Sequence, residues 1–187
     1  ILASIPFISA LLARIFLSER VSKRTLFTMV IAGFGVSLMM LSGIHSNSFY
    51  GTSMALITAF SFSGYAILLR KNKNIQMLPS VLISGLVISL FCLSILGQDI
   101  AISWLDLFRC ILLGSIISLI PNSLFIYASR YLIAAELTLF MLLEFSLGPF
   151  WVWLFINEVP AYWTLIGGTS VITAVIIYVW SEIQSKR

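Results

Sequence analysis

The sequence predicts an all-α polytopic membrane protein of about seven transmembrane helices, and three observations lead there. Of 187 residues, 60% are hydrophobic and only 10% are charged, against about 25% charged in a soluble domain whose surface must face water. Mean hydropathy is +1.07. The apolar residues also gather into seven runs, each near the roughly 20 residues that carry a helix across a hydrocarbon core. Runs apolar on every face do not fit barrel strands, which alternate apolar and polar side chains.

In chain order the runs are Ile1–Leu17, Thr25–Ile44, Tyr50–Leu69, Leu78–Leu96, Leu107–Ala128, Leu132–Ile156 and Trp163–Trp180. Polar punctuation separates them: Ser18-Glu19-Arg20, His45-Ser46-Asn47-Ser48, Arg70-Lys71-Asn72-Lys73, Gly97-Gln98-Asp99, Arg130 and Asn157-Glu158-Val159-Pro160. A semi-polar stretch through Trp104 and Asp106 leads into the fifth run. The chain begins at Ile1, without Met and inside an apolar run, so a natural N-terminal part is expected to be missing.

Alternating the loops between two sides places Arg14, Arg20, Lys23, Arg24, Arg70, Lys71, Lys73, Arg130, Lys186 and Arg187 on one side. The other side receives Arg109 with Asp99, Asp106 and Glu158. Positive charge accumulates on cytoplasmic loops, so the first side, with the C-terminus, is expected in the cytoplasm. The net charge of +4 forms no basic face, which argues against a nucleic-acid partner. Cys92 and Cys110 lie in apolar runs without metal spacing and are expected as small packing residues; His45 is the single histidine. No metal and no cofactor is expected.

Small residues mark candidate helix seams, because lipid supplies no hydrophobic force between helices and close backbone approach must hold them. Gly51, Ala55, Ala59 and Ser63 make a four-residue ladder on the third helix; Gly33 with Ser37 and Gly114 with Ser118 repeat the step. Trp104, Trp163 and Trp180 read as interfacial anchors.

A shift of 139 residues lays Phe16-Leu17-Ser18-Glu19 on Phe155-Ile156-Asn157-Glu158, Leu26 on Leu165, Gly35 on Ala174 and Val36 on Val175. Each copy is an apolar helix, a short loop carrying Glu and a second apolar helix. Glu19 and Glu158 fall on opposite sides, so the copies are expected to be inverted, as in many secondary transporters.

Phe16-Leu17-Ser18-Glu19-Arg20, with Pro6 thirteen residues before Glu19, resembles the loop after the fourth helix of EamA-type carriers of the drug/metabolite transporter superfamily. Leu143-Glu144 resembles that family's Leu-Glu-Pro, with Phe145 in the proline slot and Pro149 further on. Glu158, Gly167 and the run from Gly51 to Arg70 with Tyr65 are similar to its second repeat. The resemblance implies a ten-helix transporter fold of two inverted five-helix repeats. Residues 1–44 would be the last two helices of the first repeat and residues 50–181 the second repeat, in a bacterial cytoplasmic membrane.

Two carboxylates lie inside the sixth run. Glu136 sits about one turn in and Glu144 near mid-depth. An ionised carboxylate there costs several kcal/mol, so each is expected to be paired, hydrated or protonated. Glu144 is a candidate proton carrier or partner for a cationic substrate group; the structural alternative is a protonated side chain donating to a neighbouring helix. Glu136 is a candidate too, unless it simply reaches the headgroups. Pro121 frees a carbonyl one turn earlier, which Asn122 can satisfy unless it faces a cavity. Tyr65 is a candidate cavity-lining residue.

The function expected is a secondary carrier that exports or exchanges small organic metabolites, amino-acid-like or drug-like, by alternating access. Its partners would be the bilayer, a small-molecule substrate and protons; the oligomeric state is open. No Gly-x-x-x-x-Gly-Lys loop provides for ATP hydrolysis, and no His-Glu-x-x-His provides for a metalloprotease. With His45 in an outer loop, no membrane His stands beside a Ser, so no enzyme is expected. The alternatives are a non-transporting fragment and a structural membrane protein.

Overall fold

The computed structural model describes residues 2–40, 49–96 and 103–185, which form helices joined by short loops with no strand among them. The turn His45-Ser46-Asn47-Ser48, Asp99, Lys186 and Arg187 lie outside the described residues. Among the described residues, six helices are long and apolar enough to cross a membrane: Lys23–Met40, Tyr50–Lys71, Leu78–Ile95, Trp104–Ala128, Ala134–Ile156 and Tyr162–Gln184. At 1.5 Å per residue they cover about 27–37 Å, enough for a hydrocarbon core of about 30 Å. The chain is therefore an integral membrane protein. Leu2–Phe16 is apolar but shorter, about 22 Å long, so six full spans and one short helix stand where seven spans were expected.

A 3-10 turn, Leu2–Ser4, leads into α1 (Ile5–Phe16), followed by α2 (Lys23–Met40), α3 (Phe49–Lys71) and α4 (Leu78–Leu96). The fifth span is α5 (Trp104–Leu113), a π-helical segment (Gly114–Leu119) and α6 (Ile120–Ala128). The sixth is α7 (Ala134–Phe140) and α8 (Leu142–Ile156), and the seventh is α9 (Tyr162–Ser185).

Two spans depart from the expected continuous runs. The fifth starts three residues early, because Ser103 accepts the Leu105 N–H at 3.4 Å and caps the helix. Asp106 stands in the first turn and pairs with Arg109 at 3.2 Å, where a carboxylate complements the helix dipole. The sixth span tightens at Met141, which keeps right-handed helical dihedrals (φ −65°, ψ −23°). There the Thr138 hydroxyl donates to the carbonyls of Ala134 and Ala135, at 3.0 and 3.2 Å. The bonds Met141 N–H to Thr138 O and Glu144 N–H to Met141 O tighten the backbone to three-residue steps.

The helices gather into two compact units, one of residues 1–68 with 132–187 and one of residues 69–131. In the first, α2 lies antiparallel to α9. Arg24 at the start of α2 donates to the Ser181 carbonyl near the end of α9, while Gly35 meets Gly167 at the far end. A Cβ on Gly167 would lie 2.2 Å from the Gly35 carbonyl oxygen, and one on Gly35 would lie 2.7 Å from the Gly167 oxygen. Only glycine permits this approach. Met29, Ala32 and Val36 of α2 and Val171 and Tyr178 of α9 fill the seam.

α1 lies antiparallel to α7. Ser9 and Thr138, both fully buried, share a hydroxyl hydrogen bond of 2.6 Å, and Ala13 packs on Ala134 with Ile67 of α3. α8 returns along α9, with the Ser146 hydroxyl donating to the Gly168 carbonyl at 2.8 Å.

The expected seams are realised in part. Ala59 and Ser63 are buried and Ser63 donates to the Ile5 carbonyl at 3.2 Å, but Gly51 at the other end of the ladder is exposed. Gly33 sits under the Phe7 ring, whereas a Cβ on Gly114 would meet nothing within 4 Å. Cys92 and Cys110 are exposed rather than packed. An apolar residue in lipid is as stable facing acyl chains as facing a helix, so apolar character alone did not place them.

In the second unit, Arg70 donates to the carbonyls of Ser129 and Arg130 at 3.2 and 2.9 Å, and Arg130 donates to the Ile75 carbonyl at 3.4 Å. The cationic loops after α3 and α6 therefore meet at one end of that unit. The large apolar residues of α4 and α5 are almost all exposed, which lipid tolerates and water would not.

The helix-end geometry repeats at the 139-residue spacing to within one residue. α1 ends at Phe16 and α2 begins at Lys23; α8 ends at Ile156 and α9 begins at Tyr162. Among the described residues, the non-glycine residues with positive φ are Ser18 (54°) and Asn157 (61°), which are 139 apart. The left-handed residue turns the chain out of each helix. Burial repeats as well. Thr28, Met29, Ala32, Gly35 and Val36 are buried on α2, and their shifted positions Gly167, Gly168, Val171, Ala174 and Val175 are buried on α9.

Candidate functional site

Glu136, in the first turn of α7, is half-buried and lies near the Tyr178 hydroxyl of α9. The Thr25 side chain of α2, which shares a 2.8 Å hydrogen bond with Ser22, lies near the same hydroxyl. Three helices thus converge on one phenol. Thr25 is the third residue of its span, Glu136 the third of its own, and Tyr178 lies six residues before the end of Tyr162–Gln184. The group therefore sits near the membrane surface, at the end of the unit that holds Arg24 and Ser181.

Glu144 stands in the middle of the Ala134–Ile156 span, one turn beyond the tightened step at Met141. Its side chain is exposed on the chain's own surface and has no hydrogen-bond or ion-pair partner among the described residues. Glu136 and Glu144 therefore face different surroundings.

Asn122 is held locally. Its Nδ2 donates to the Ser118 carbonyl at 2.8 Å, one turn earlier. The π-helical segment Gly114–Leu119 runs up to Pro121, whose missing N–H and bulky ring disturb the hydrogen-bond ladder just before it. Asn122 lies in the second unit and the other three candidates in the first. Tyr65 is half-buried on α3 with its ring edge-on to Phe62, centroids 5.9 Å apart.

A groove of about 670 Å³ runs between α8 and α9, walled by Leu143, Leu147, Ile172, Ile176 and Trp180 among others. A smaller cavity of about 110 Å³ lies between Trp153, Pro149, Pro160 and Gly168, giving Trp153 a wall position, whereas Trp151 stacks on Phe155. None of Glu136, Glu144, Asn122 and Tyr65 lines either space. Among the described residues, no group of three His, Cys, Asp or Glu side chains gathers as a metal site. No family model, curated protein or solved structure matches the chain.

Sequence reasoning did not single out Tyr178, Thr25, Ser9, Thr138 or Ser146. The available signal was a hydroxyl recurring singly inside apolar runs, where a polar side chain must find a partner on a neighbouring helix. Tyr178→Phe should lower the stability of the detergent-solubilised protein by up to about 1 kcal/mol, the usual scale of one polar contact between membrane helices. Tyr50→Phe, on an exposed ring, should leave it unchanged. SDS unfolding followed by circular dichroism checks both, and equal midpoints would show that the phenol does not bind the three helices together.

Proposed function

We propose that the chain is the membrane-embedded part of a secondary carrier similar to the EamA-type drug/metabolite transporters, moving small organic metabolites, amino-acid-like or drug-like, by alternating access. The observation that carries this reading is the 139-residue correspondence between α1–α2 and α8–α9. The equivalent helices α2 and α9 meet antiparallel, with equivalent positions buried, and a left-handed residue stands at the same place before Glu19 and Glu158. Two copies of one helix pair related in this way support an inverted repeat, and inverted repeats underlie rocking between outward- and inward-open states.

The sixth span tightens to three-residue steps at Met141 and stays right-handed helical there. Glu144, one turn beyond it, is the group assigned to proton or cation handling. Glu136 is assigned to holding α2, α7 and α9 together. The protein is read as a carrier in a bacterial cytoplasmic membrane rather than as an enzyme, with its cationic loops and C-terminus inside.

Uptake by proteoliposomes tests the reading. A panel of labelled amino acids and cationic drugs, offered with and without a pH gradient, should yield at least one substrate that accumulates above protein-free vesicles. A non-transporting fragment or a structural membrane protein yields none.

Orientation is tested separately. Cysteine at Lys71, between the loops joined by Arg70 and Arg130, should resist an impermeant thiol reagent in intact cells, in a background lacking Cys92 and Cys110. Cysteine at Glu158 should react. Labelling at Lys71 with protection at Glu158 would reverse the topology.

A further inference from the structure

Between the end of α1 and the start of α2 lies a groove of about 520 Å³ lined by Ala10, Leu11, Arg14, Arg20, Val21 and Leu26. Its polarity changes along the helices. Arg14 is in the last turn of α1 and Arg20 in the loop beyond it. Ala10 and Leu11 lie about one turn deeper on α1, and Leu26 lies in the first turn of α2. Leu11 and Leu26 are exposed.

Neither arginine makes a hydrogen bond or ion pair among the described residues. The acid of this loop, Glu19, is half-buried and does not line the groove. Two guanidinium groups thus share one mouth, and guanidinium recognises phosphate oxygens through paired N–H donors. Below them the walls are aliphatic. A ligand that fits carries a phosphate at one end and a hydrocarbon chain at the other, and basic pockets between membrane helices take such headgroups.

We propose that this groove is a binding site for an anionic phospholipid, with Arg14 and Arg20 on the headgroup phosphate and an acyl chain along Leu11 and Leu26. The inference uses only the membrane location and stands apart from the carrier reading. The lipid acts as a wedge between α1 and α2, holding the loop that joins them.

Native mass spectrometry of the detergent-solubilised full chain, titrated with phosphatidylglycerol, phosphatidylcholine or inorganic phosphate, tests it. Wild type should retain phosphatidylglycerol in preference to phosphatidylcholine. Arg14→Gln/Arg20→Gln should weaken phosphatidylglycerol binding about 30-fold, taking about a tenfold factor per 1.4 kcal/mol and the usual worth of each cation near anionic headgroups. Arg14→Lys/Arg20→Lys, which keeps both charges, should restore most of it. Lys71→Gln/Lys73→Gln removes the same charge from another loop and should change binding less than about threefold. Circular dichroism establishes that each variant is folded.

Three results would overturn the proposal. One is phosphatidylglycerol binding unchanged in the double glutamine variant. Another is an equal loss in the lysine-loop control, which would mean diffuse attraction of anionic lipid. The third is displacement of the lipid by inorganic phosphate at equal concentration, which would mean a free-phosphate site.

Discussion

Gly167→Ala should be among the most destabilising single-methyl substitutions in this protein, lowering its stability by about 3 kcal/mol. The added Cβ would fall 2.2 Å from the Gly35 carbonyl oxygen, 2.6 Å from Met39 Cγ and 3.0 Å from the Met39 nitrogen. Two of those atoms are backbone and cannot rotate away, so α9 must shift from α2 and open the seam around Ala32, Val36 and Val171. Better helix propensity returns at most about 1 kcal/mol. Gly64→Ala is the control, since a Cβ there meets nothing within 4 Å. It should be neutral or slightly stabilising. SDS titration of both variants reads the difference as a shift in unfolding midpoint. A Gly167→Ala midpoint equal to wild type would mean that α2 and α9 do not cross at the glycines.

Glu144→Gln should abolish pH-driven transport while leaving the fold unchanged, provided the carrier reading holds. The side chain is exposed on α8 and bonded to no described neighbour, so glutamine removes the proton-binding site without breaking a contact within the chain. Glu136→Gln should leave more of the pH response and cost more stability, because that carboxylate is half-buried beside Tyr178. Proteoliposomes with an imposed pH gradient separate the two effects. Wild-type pH dependence in the Glu144→Gln protein would reassign Glu144 to a role outside proton coupling. A variant that keeps its unfolding midpoint yet loses transport would tie the loss to the carboxyl.

The candidate residues were legible from sequence as chemistry and not as places. A carboxylate inside an apolar run is visible at once, so Glu136 and Glu144 stood out equally. The structure separates them through Tyr178, which lies 42 residues beyond Glu136 in the chain. Asn122 bonds back one turn along its own helix, to the Ser118 carbonyl, while the carbonyl that Pro121 leaves without its α-helical partner is that of Ile117. The tightened step at Met141 was not anticipated, because Leu132–Ile156 is largely apolar and the Thr138 hydroxyl that bonds back to Ala134 and Ala135 carries no mark of its conformation.

What the sequence determined by itself was the helices and their placement across a bilayer. Backbone polar groups have no water partner in hydrocarbon, so any long apolar run must close its own hydrogen bonds, and the run length reports the span directly. Left to the tertiary structure were the faces. In water the apolar face of a helix is the buried one; in lipid both faces are apolar and hydrophobicity no longer distinguishes them. Cys92 and Cys110 therefore turned outward, and Gly114 found no neighbour. The seams instead formed where steric fit and hydroxyl groups allowed: Gly35 on Gly167, Ser9 on Thr138, Ser146 on Gly168. Each of these joins residues more than twenty positions apart, and complementarity of shape over that distance exists only once the helices have met.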